Sequence, residues 1–205
     1  MNAPERRRAV FLDRDGVLNE AVIQEGRPYS PSSIEQLKIR PDAASSLARL
    51  KTAEFLLIVV TNQPNVARGH QTRAAVEAMN AAVAAALPID EFLVCWHDDP
   101  DACPCRKPKP GLLLDAASRH NIDLAHSFLI GDRWRDIDAG AAAGCRTILI
   151  DHHYAERAPE SAPDFRTASL QEAADWILSG ASDLVAGEAP ATARTRKLER
   201  RRRTS

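Results

Sequence analysis

Short apolar runs recur along the chain, each closed by polar or small residues: Val-Phe-Leu at 10–12, Phe-Leu-Leu-Ile-Val-Val at 55–60, Phe-Leu-Val at 92–94, Ser-Phe-Leu-Ile at 127–130 and Thr-Ile-Leu-Ile at 147–150. They are too short for helices and lack apolar–polar alternation, so they predict strands buried on both faces, as in a parallel sheet. Between them lie segments with apolar residues at helical spacing. Ala43, Leu47 and Leu50 follow Pro41-Asp42. Val76, Met79 and Val83 stripe the alanine-rich stretch 72–87, and Leu112, Leu113 and Ala116 stripe 111–120. Further helices are predicted over 136–143 and 170–178. Strand and helix in alternation argue for an α/β fold of three layers, Rossmann-like, with a central parallel sheet. Residues 19–39 carry Gly26, Pro28 and Pro31 and read mostly as loop. A loop this long after the first strand is expected to lie over the strand ends and shape what binds there.

Composition narrows the class. The chain has 205 residues, 44% of them hydrophobic, which suits one domain with a full core; it is placed at residues 1–180. A formal net charge of -1 weighs against a nucleic-acid partner. No apolar run is long enough for a bilayer, and no apolar core follows the basic N-terminal residues, so no membrane partner and a cytoplasmic location are expected. The balance breaks at the end: Arg194, Arg196, Lys197, Arg200, Arg201, Arg202 and Arg203 crowd the last dozen residues. Residues 181–205 therefore read as a disordered basic tail. A monomer is the default.

The chemistry-bearing residues sit where the predicted strands end, the edge at which parallel sheets collect their sites. After the first strand come Asp13 and Asp15, then Gly16 to free the turn. One carboxylate can attack phosphorus and the other can move the proton, and both can share a divalent cation. Thr61-Asn62-Gln63 closes the second strand with a hydroxyl and two amides suited to phosphate oxygens. Asp132 closes the fourth strand, and Asp136, four residues on, is a candidate oxygen ligand for Mg2+ and a candidate helix cap, two roles that can both hold. In Arg106-Lys107-Pro108-Lys109-Pro110 either lysine can neutralise a phosphoryl group. Ahead of it, Cys95, His97, Cys103 and Cys105 form a Cys3His set with the ligand chemistry of structural Zn2+ and no open position. Metal there would order a loop that has little apolar content of its own. Cys145, beside a predicted strand, reads as a buried small hydrophobe. Arg68 is balanced between an anion contact and an exposed charge.

The apolar run followed by D-x-D-G, Thr61 after a strand, a Lys-Pro pair and GDxxxD resemble the four motifs of the haloacid dehalogenase (HAD) superfamily, in the superfamily's order. DxDGxxN from Asp13, TNQ from Thr61 and CxH…CxCRKPxPG from Cys95 are similar to its zinc-containing subgroup of heptose-bisphosphate 7-phosphatases and histidinol-phosphate phosphatases. The resemblance spans residues 10–150. It implies a HAD core without a large cap domain, with a zinc-bound loop, hydrolysing a small phosphorylated sugar through an aspartyl phosphate. It makes Asp13 the nucleophile, Asp15 the acid/base, and Thr61 and Lys107 the phosphoryl stabilisers, Lys107 fitting the pattern better than Lys109. Asp13, Asp15 and Asp132, with Asp136 as a further candidate, would hold Mg2+. Asn19, Asn62, Gln63, Arg106 and Arg133 would meet substrate. The sequence departs from the subgroup at Pro64-Asn65, where Ser-Gly is usual, in a shorter zinc spacer, and at Arg133, where lysine is common. Histidinol phosphate is the alternative substrate, and an inactive zinc-organised binding module is the alternative outside enzymes.

Overall fold

The computed structural model describes residues 6–185. β1 (Ala9–Leu12) is followed by a small hairpin, β2 (Val22–Gln24) and β3 (Arg27–Tyr29), and then by α1 (Ala43–Thr52) and β4 (Leu56–Asn62). Next come α2 (Pro64–Ala67), α3 (Arg73–Ala86), β5 (Glu91–Cys95) and α4 (Gly111–His120). The chain continues through β6 (Phe128–Gly131), α5 (Trp134–Ala143), β7 (Arg146–Ile150), β8 (Phe165–Thr167) and α6 (Leu170–Val185).

The main sheet runs in the order β5-β4-β1-β6-β7-β8, and every neighbouring pair in it is parallel. Alternation along each strand divides the core in two. Val10 and Leu12 join Leu57, Val59, Phe128 and Ile130 on one face, under Leu47 and Leu50 of α1 and Ala173 and Ile177 of α6. Ala9 and Phe11 join Ile58, Val60 and Leu129 on the other, under Leu113 and Ala116 of α4 and Ala139 of α5. Burying a side chain such as Phe11 or Leu57 contributes on the order of 1.5–3 kcal/mol, so the unbroken apolar strands are held from both sides. The result is the expected three-layer α/β sandwich with a central parallel sheet.

Helix ends follow local chemistry. Thr72 caps α3 by accepting from the Ala75 amide, and Gly144, with φ +84°, closes α5 in the left-handed conformation. Asp42 precedes α1, yet its Oδ2 accepts from the amides of Leu170 and Gln171 at 3.0 and 3.2 Å, tying α6 to α1.

Three elements differ from the sequence expectation. The stretch 19–39 contains the antiparallel β2–β3 hairpin, in which only Pro28 is buried. β8 adds a sixth parallel strand from only three residues. α6 runs to Val185, beyond the predicted end at residue 178 and into the segment read as tail. The rest of the predicted basic tail, residues 186–205, lies outside the described residues. No helix among the described residues is long and apolar enough to cross a membrane.

Candidate active site

β1 lies between β4 and β6, the two strands that wind away from it in opposite directions, so a crevice opens at their carboxyl ends. Asp13 leaves β1 there, its amide donating to the Ile130 carbonyl at 2.9 Å. Thr61 is the penultimate residue of β4, and Asp132 follows β6. The cleft is lined by Asp13, Asp15, Thr61, Asn62 and Lys107, by Arg133 and Arg135 of the β6–α5 turn, and by Ala21, Pro28, Tyr29 and Ser30 of the hairpin segment. The hairpin thus forms its outer wall, as expected of residues 19–39.

Lys107 is 2% exposed and follows the cysteine loop, two residues after Cys105. Its Nζ lies 2.8 Å from Asp13 Oδ1, 2.5 Å from Asp136 Oδ1 and 2.7 Å from the Val60 carbonyl. Burial alone would discharge the ammonium, but the charges of Asp13 and Asp136 outweigh it and hold Lys107 protonated. Lys109 instead donates to the carbonyls of Ala102 and Cys103, so Lys107 is the lysine of the site.

Carboxylate atoms of Asp13, Asp132 and Asp136 lie within 4.8 Å of one another, all three buried. Burial pushes the Asp13 carboxyl up to about 6, with Lys107 pulling against it and Asp136 and Asp15 adding to it. Burial, then Asp13 and Asp136, raise Asp132 well above the usual carboxylate range. Three carboxylates against one ammonium leave a deficit of two positive charges when all are ionised, and Asp132 Oδ1 is buried with no partner. A hard divalent cation with oxygen ligands fits that deficit and that orphaned oxygen. The oxygens of Asp136 are committed: Oδ1 to Lys107, and Oδ2 to the Arg133 amide at 3.1 Å. Asp136 is the third residue of α5, which begins at Trp134, and it caps the helix from inside. Gly16, at φ +90°, brings the backbone against Asp132, where any Cβ would collide with the carboxylate.

Asp15, two residues from Asp13, is perturbed the other way. Burial works to raise it, but the Arg14 guanidinium, together with hydrogen bonds from Arg14, Ser30 and Gln63, holds it below its usual value. Arg14 is itself buried, binding both Asp15 oxygens at 3.0 Å and Asn80 of α3 at 2.8 Å.

The cysteine loop gathers four soft ligands. Cys105 Sγ is 3.3 Å from the sulfurs of Cys95 and Cys103 and from His97 Nδ1, while Cys95 Sγ lies 3.7 Å from Cys103 and 3.8 Å from His97 Nδ1. A tetrahedron with Zn–S bonds of ~2.3 Å has edges of about 3.8 Å, so the donors already stand near metal-ligand spacing. Cys145 is separate and buried, its thiol pushed up to about 12 by burial.

A HAD-hydrolase-like family model matches residues 104–173. The D-glycero-beta-D-manno-heptose-1,7-bisphosphate 7-phosphatase of Bordetella bronchiseptica is 36% identical over 146 residues, covering 69% of this chain and 79% of its own. The chain belongs to this phosphatase family. The Escherichia coli K12 enzyme of the same name is 31% identical over 188 residues, 86% of this chain and 91% of its own. A solved structure, D,D-heptose 1.7-bisphosphate phosphatase from B. bronchiseptica complexed with magnesium and phosphate, superposes with TM-score 0.72 at 30% identity, covering 84% of this chain and 99% of that one.

Within this phosphatase family architecture, Asp13, Asp15, Thr61, Lys107, Asn62 and Arg133 stand in the cleft wall. Three residues expected to meet substrate do not line it. Asn19 is fully buried, its Nδ2 donating to Asp15 Oδ1 at 3.0 Å and to the Glu20 carbonyl at 2.9 Å. Gln63 is equally buried, donating to Asp15 Oδ2 and Thr61 Oγ1, both at 3.0 Å. Both amides stand behind Asp15 and hold it, because their short reach is spent on the carboxylate next to them. Arg106 is drawn away by acidic residues of its own loop, pairing with Asp99 at 2.7 Å and donating to the His97 carbonyl at 3.3 Å. Asn62, besides lining the cleft, exchanges two 3.1 Å hydrogen bonds with the Lys107 backbone. Arg68 pairs with Asp98 outside the cleft. Residues not singled out from the sequence are Arg14, Ser30, Arg135 and Tyr154. Arg14 carries a signal as a cation wedged between two carboxylates, and Arg135 lies inside GDxxxD; Ser30 and Tyr154 sit in segments with no local pattern.

Proposed function

We propose that the chain is a Mg2+-dependent phosphomonoesterase that removes the 7-phosphate of D-glycero-beta-D-manno-heptose 1,7-bisphosphate. The observation that carries this reading is the buried Lys107 ammonium, 2.8 Å from Asp13 beside a cluster of carboxylates short of positive charge. Family membership supplies the substrate class. Asp13, the Asp15 backbone carbonyl and Asp132 would hold Mg2+, with Asp136 orienting Lys107. Bound Mg2+ would supply charge for the phosphoryl oxygens and lower the repulsion between Asp13 and an anionic ester.

One Asp13 oxygen is committed to Lys107, leaving the other to attack phosphorus. The P–O ester bond breaks, and the leaving alkoxide takes a proton from Asp15, giving an alcohol and an aspartyl phosphate on Asp13. Asp15 is held ionised in the resting protein, and an incoming phosphate dianion beside it favours its uptake of the proton it must donate. Once deprotonated, it accepts a proton from the water that attacks phosphorus, releasing phosphate and restoring Asp13. Thr61 and Lys107 aim donors at the phosphoryl oxygens. Asn62 and Arg133 face the remainder of the substrate, and Cys95, His97, Cys103 and Cys105 would hold Zn2+, fixing the backbone two residues before Lys107.

The test is phosphate release from heptose 1,7-bisphosphate, histidinol phosphate and simple sugar phosphates, for the parent and Asp13→Asn with Mg2+ present. The expectation is selective turnover of the heptose bisphosphate and its loss in Asp13→Asn. Equal activity in Asp13→Asn would remove the covalent mechanism, and preference for histidinol phosphate would reassign the substrate.

A further inference from the structure

The long loop after β7 is tied to the surroundings of the cleft at four places, one of them in the carboxylate cluster. His152 Nε2 donates to the Gly16 carbonyl at 2.9 Å, and the Tyr154 hydroxyl donates to Asp132 Oδ2 at 2.9 Å. The Ala155 amide donates to the Gly26 carbonyl at the hairpin tip at 2.9 Å, and Glu156 pairs with Arg133 in the cleft wall. Tyr154 is held from the side by the His152 ring, with centroids 5.4 Å apart.

We infer that Tyr154 is a positioning residue for the divalent cation: its hydroxyl fixes one oxygen of Asp132 and thereby presents the other as a ligand. A buried carboxylate with both oxygens free can rotate about its Cβ–Cγ bond, and each rotamer offers the metal a different oxygen at a different distance. With Oδ2 committed to Tyr154, only Oδ1 is left, and that atom is the buried one without a partner. Partners of this kind orient metal ligands, and removing one commonly weakens binding 10- to 100-fold. Gly16 leaves room for that same oxygen, since a Cβ there would fall 1.8 Å from Oδ2. The inference rests on the reading that Asp132 holds Mg2+.

The experiment is calorimetric titration of Mg2+ into the full-length, zinc-loaded protein, comparing the parent, Tyr154→Phe and Glu156→Gln. Phenylalanine keeps the ring against His152 and removes only the hydroxyl. Glu156→Gln breaks a neighbouring tie of the same loop and leaves Asp132 untouched. The expected result is a Mg2+ dissociation constant raised about 10-fold in Tyr154→Phe and parental in Glu156→Gln. The Mg2+ concentration for half-maximal turnover in Tyr154→Phe should rise by the same factor, with a smaller change in rate at saturating Mg2+. Parental affinity in Tyr154→Phe would overturn the inference, and so would equal weakening in Glu156→Gln, which would credit the loop rather than the hydroxyl. A parent that takes up no Mg2+ would instead overturn the metal reading itself, and this inference with it.

Discussion

Replacing Lys107 with methionine keeps the bulk of the side chain and deletes one charge. Its ammonium serves Asp13, Asp136 and the Val60 carbonyl, all at 2.8 Å or less. Without it those two carboxylates share a buried volume with Asp132 and no cation. Removing one partner of a buried ion pair costs about 3–5 kcal/mol. Because two carboxylates lose the same counter-charge, the upper part of that range is expected. In a chain of this size each kcal/mol moves Tm by about 2–4 °C, so a fall of roughly 8–20 °C follows in Mg2+-free buffer. Saturating Mg2+ restores positive charge to the cluster and should recover part of that loss. Turnover at saturating Mg2+ should fall about 10²–10³-fold, the usual cost of deleting one preorganised donor to a developing anion. Thermal melts with and without Mg2+, paired with phosphate-release kinetics, read the two effects separately. A Tm within about 2 °C of the parent in Mg2+-free buffer would refute the charge argument. A large fall in Tm with unchanged turnover would leave Lys107 as a counter-ion and remove it from the chemistry.

Two other perturbations test the site's supports. Cys105→Ser should lower zinc content measured by atomic absorption and reduce turnover at least ~10-fold, a size expected when a metal-ordered loop is loosened; full activity in zinc-free protein, with Mg2+ resupplied, would show that Lys107 is placed without the metal. Gly16→Ala forces a Cβ into the Asp132 carboxylate at a left-handed backbone position and should destabilise the fold by about 1–3 kcal/mol while weakening Mg2+ binding; parental Mg2+ affinity in calorimetry would show that Asp132 can shift without loss.

The parallel sheet was legible because its strands are unbroken apolar runs, and a run buried on both faces leaves a signal that needs no partner to interpret. Val10–Leu12 of β1 and the residues of β4 are of this kind. The hairpin and β8 carry no such signal. Val22–Gln24 and Arg27–Tyr29 are three residues each and mostly exposed, so their pairing rests on backbone hydrogen bonds and the turn at Gly26, not on burial. β8 is recruited by the edge of β7 and by Trp176 of α6, whose ring stacks on Phe165 at 5.1 Å. Those are tertiary causes, invisible in a three-residue window.

The same division separates the groups of the site. Motif spacing brings carboxylates, a lysine and four soft ligands to the right strand ends, but it does not say which cation meets which carboxylate. Asp13 and Asp15 are near-identical in sequence context and are driven in opposite directions. Asp13 is raised because burial and neighbouring carboxylates outweigh Lys107, which it shares with Asp136. Asp15 is lowered because Arg14 binds both its oxygens while Ser30 and Gln63 donate to it as well. Arg14 in turn is braced by Asn80 on α3, far along the chain. A D-x-D motif therefore supplies two equal acids, and the packing of α3 and of the cysteine loop makes them unequal. That asymmetry is what a nucleophile and a proton carrier two residues apart require. Asn19, Gln63 and Arg106 stand outside the cleft wall for a related reason: each is spent on a nearer charge, because a polar side chain in a buried setting must satisfy its closest partner.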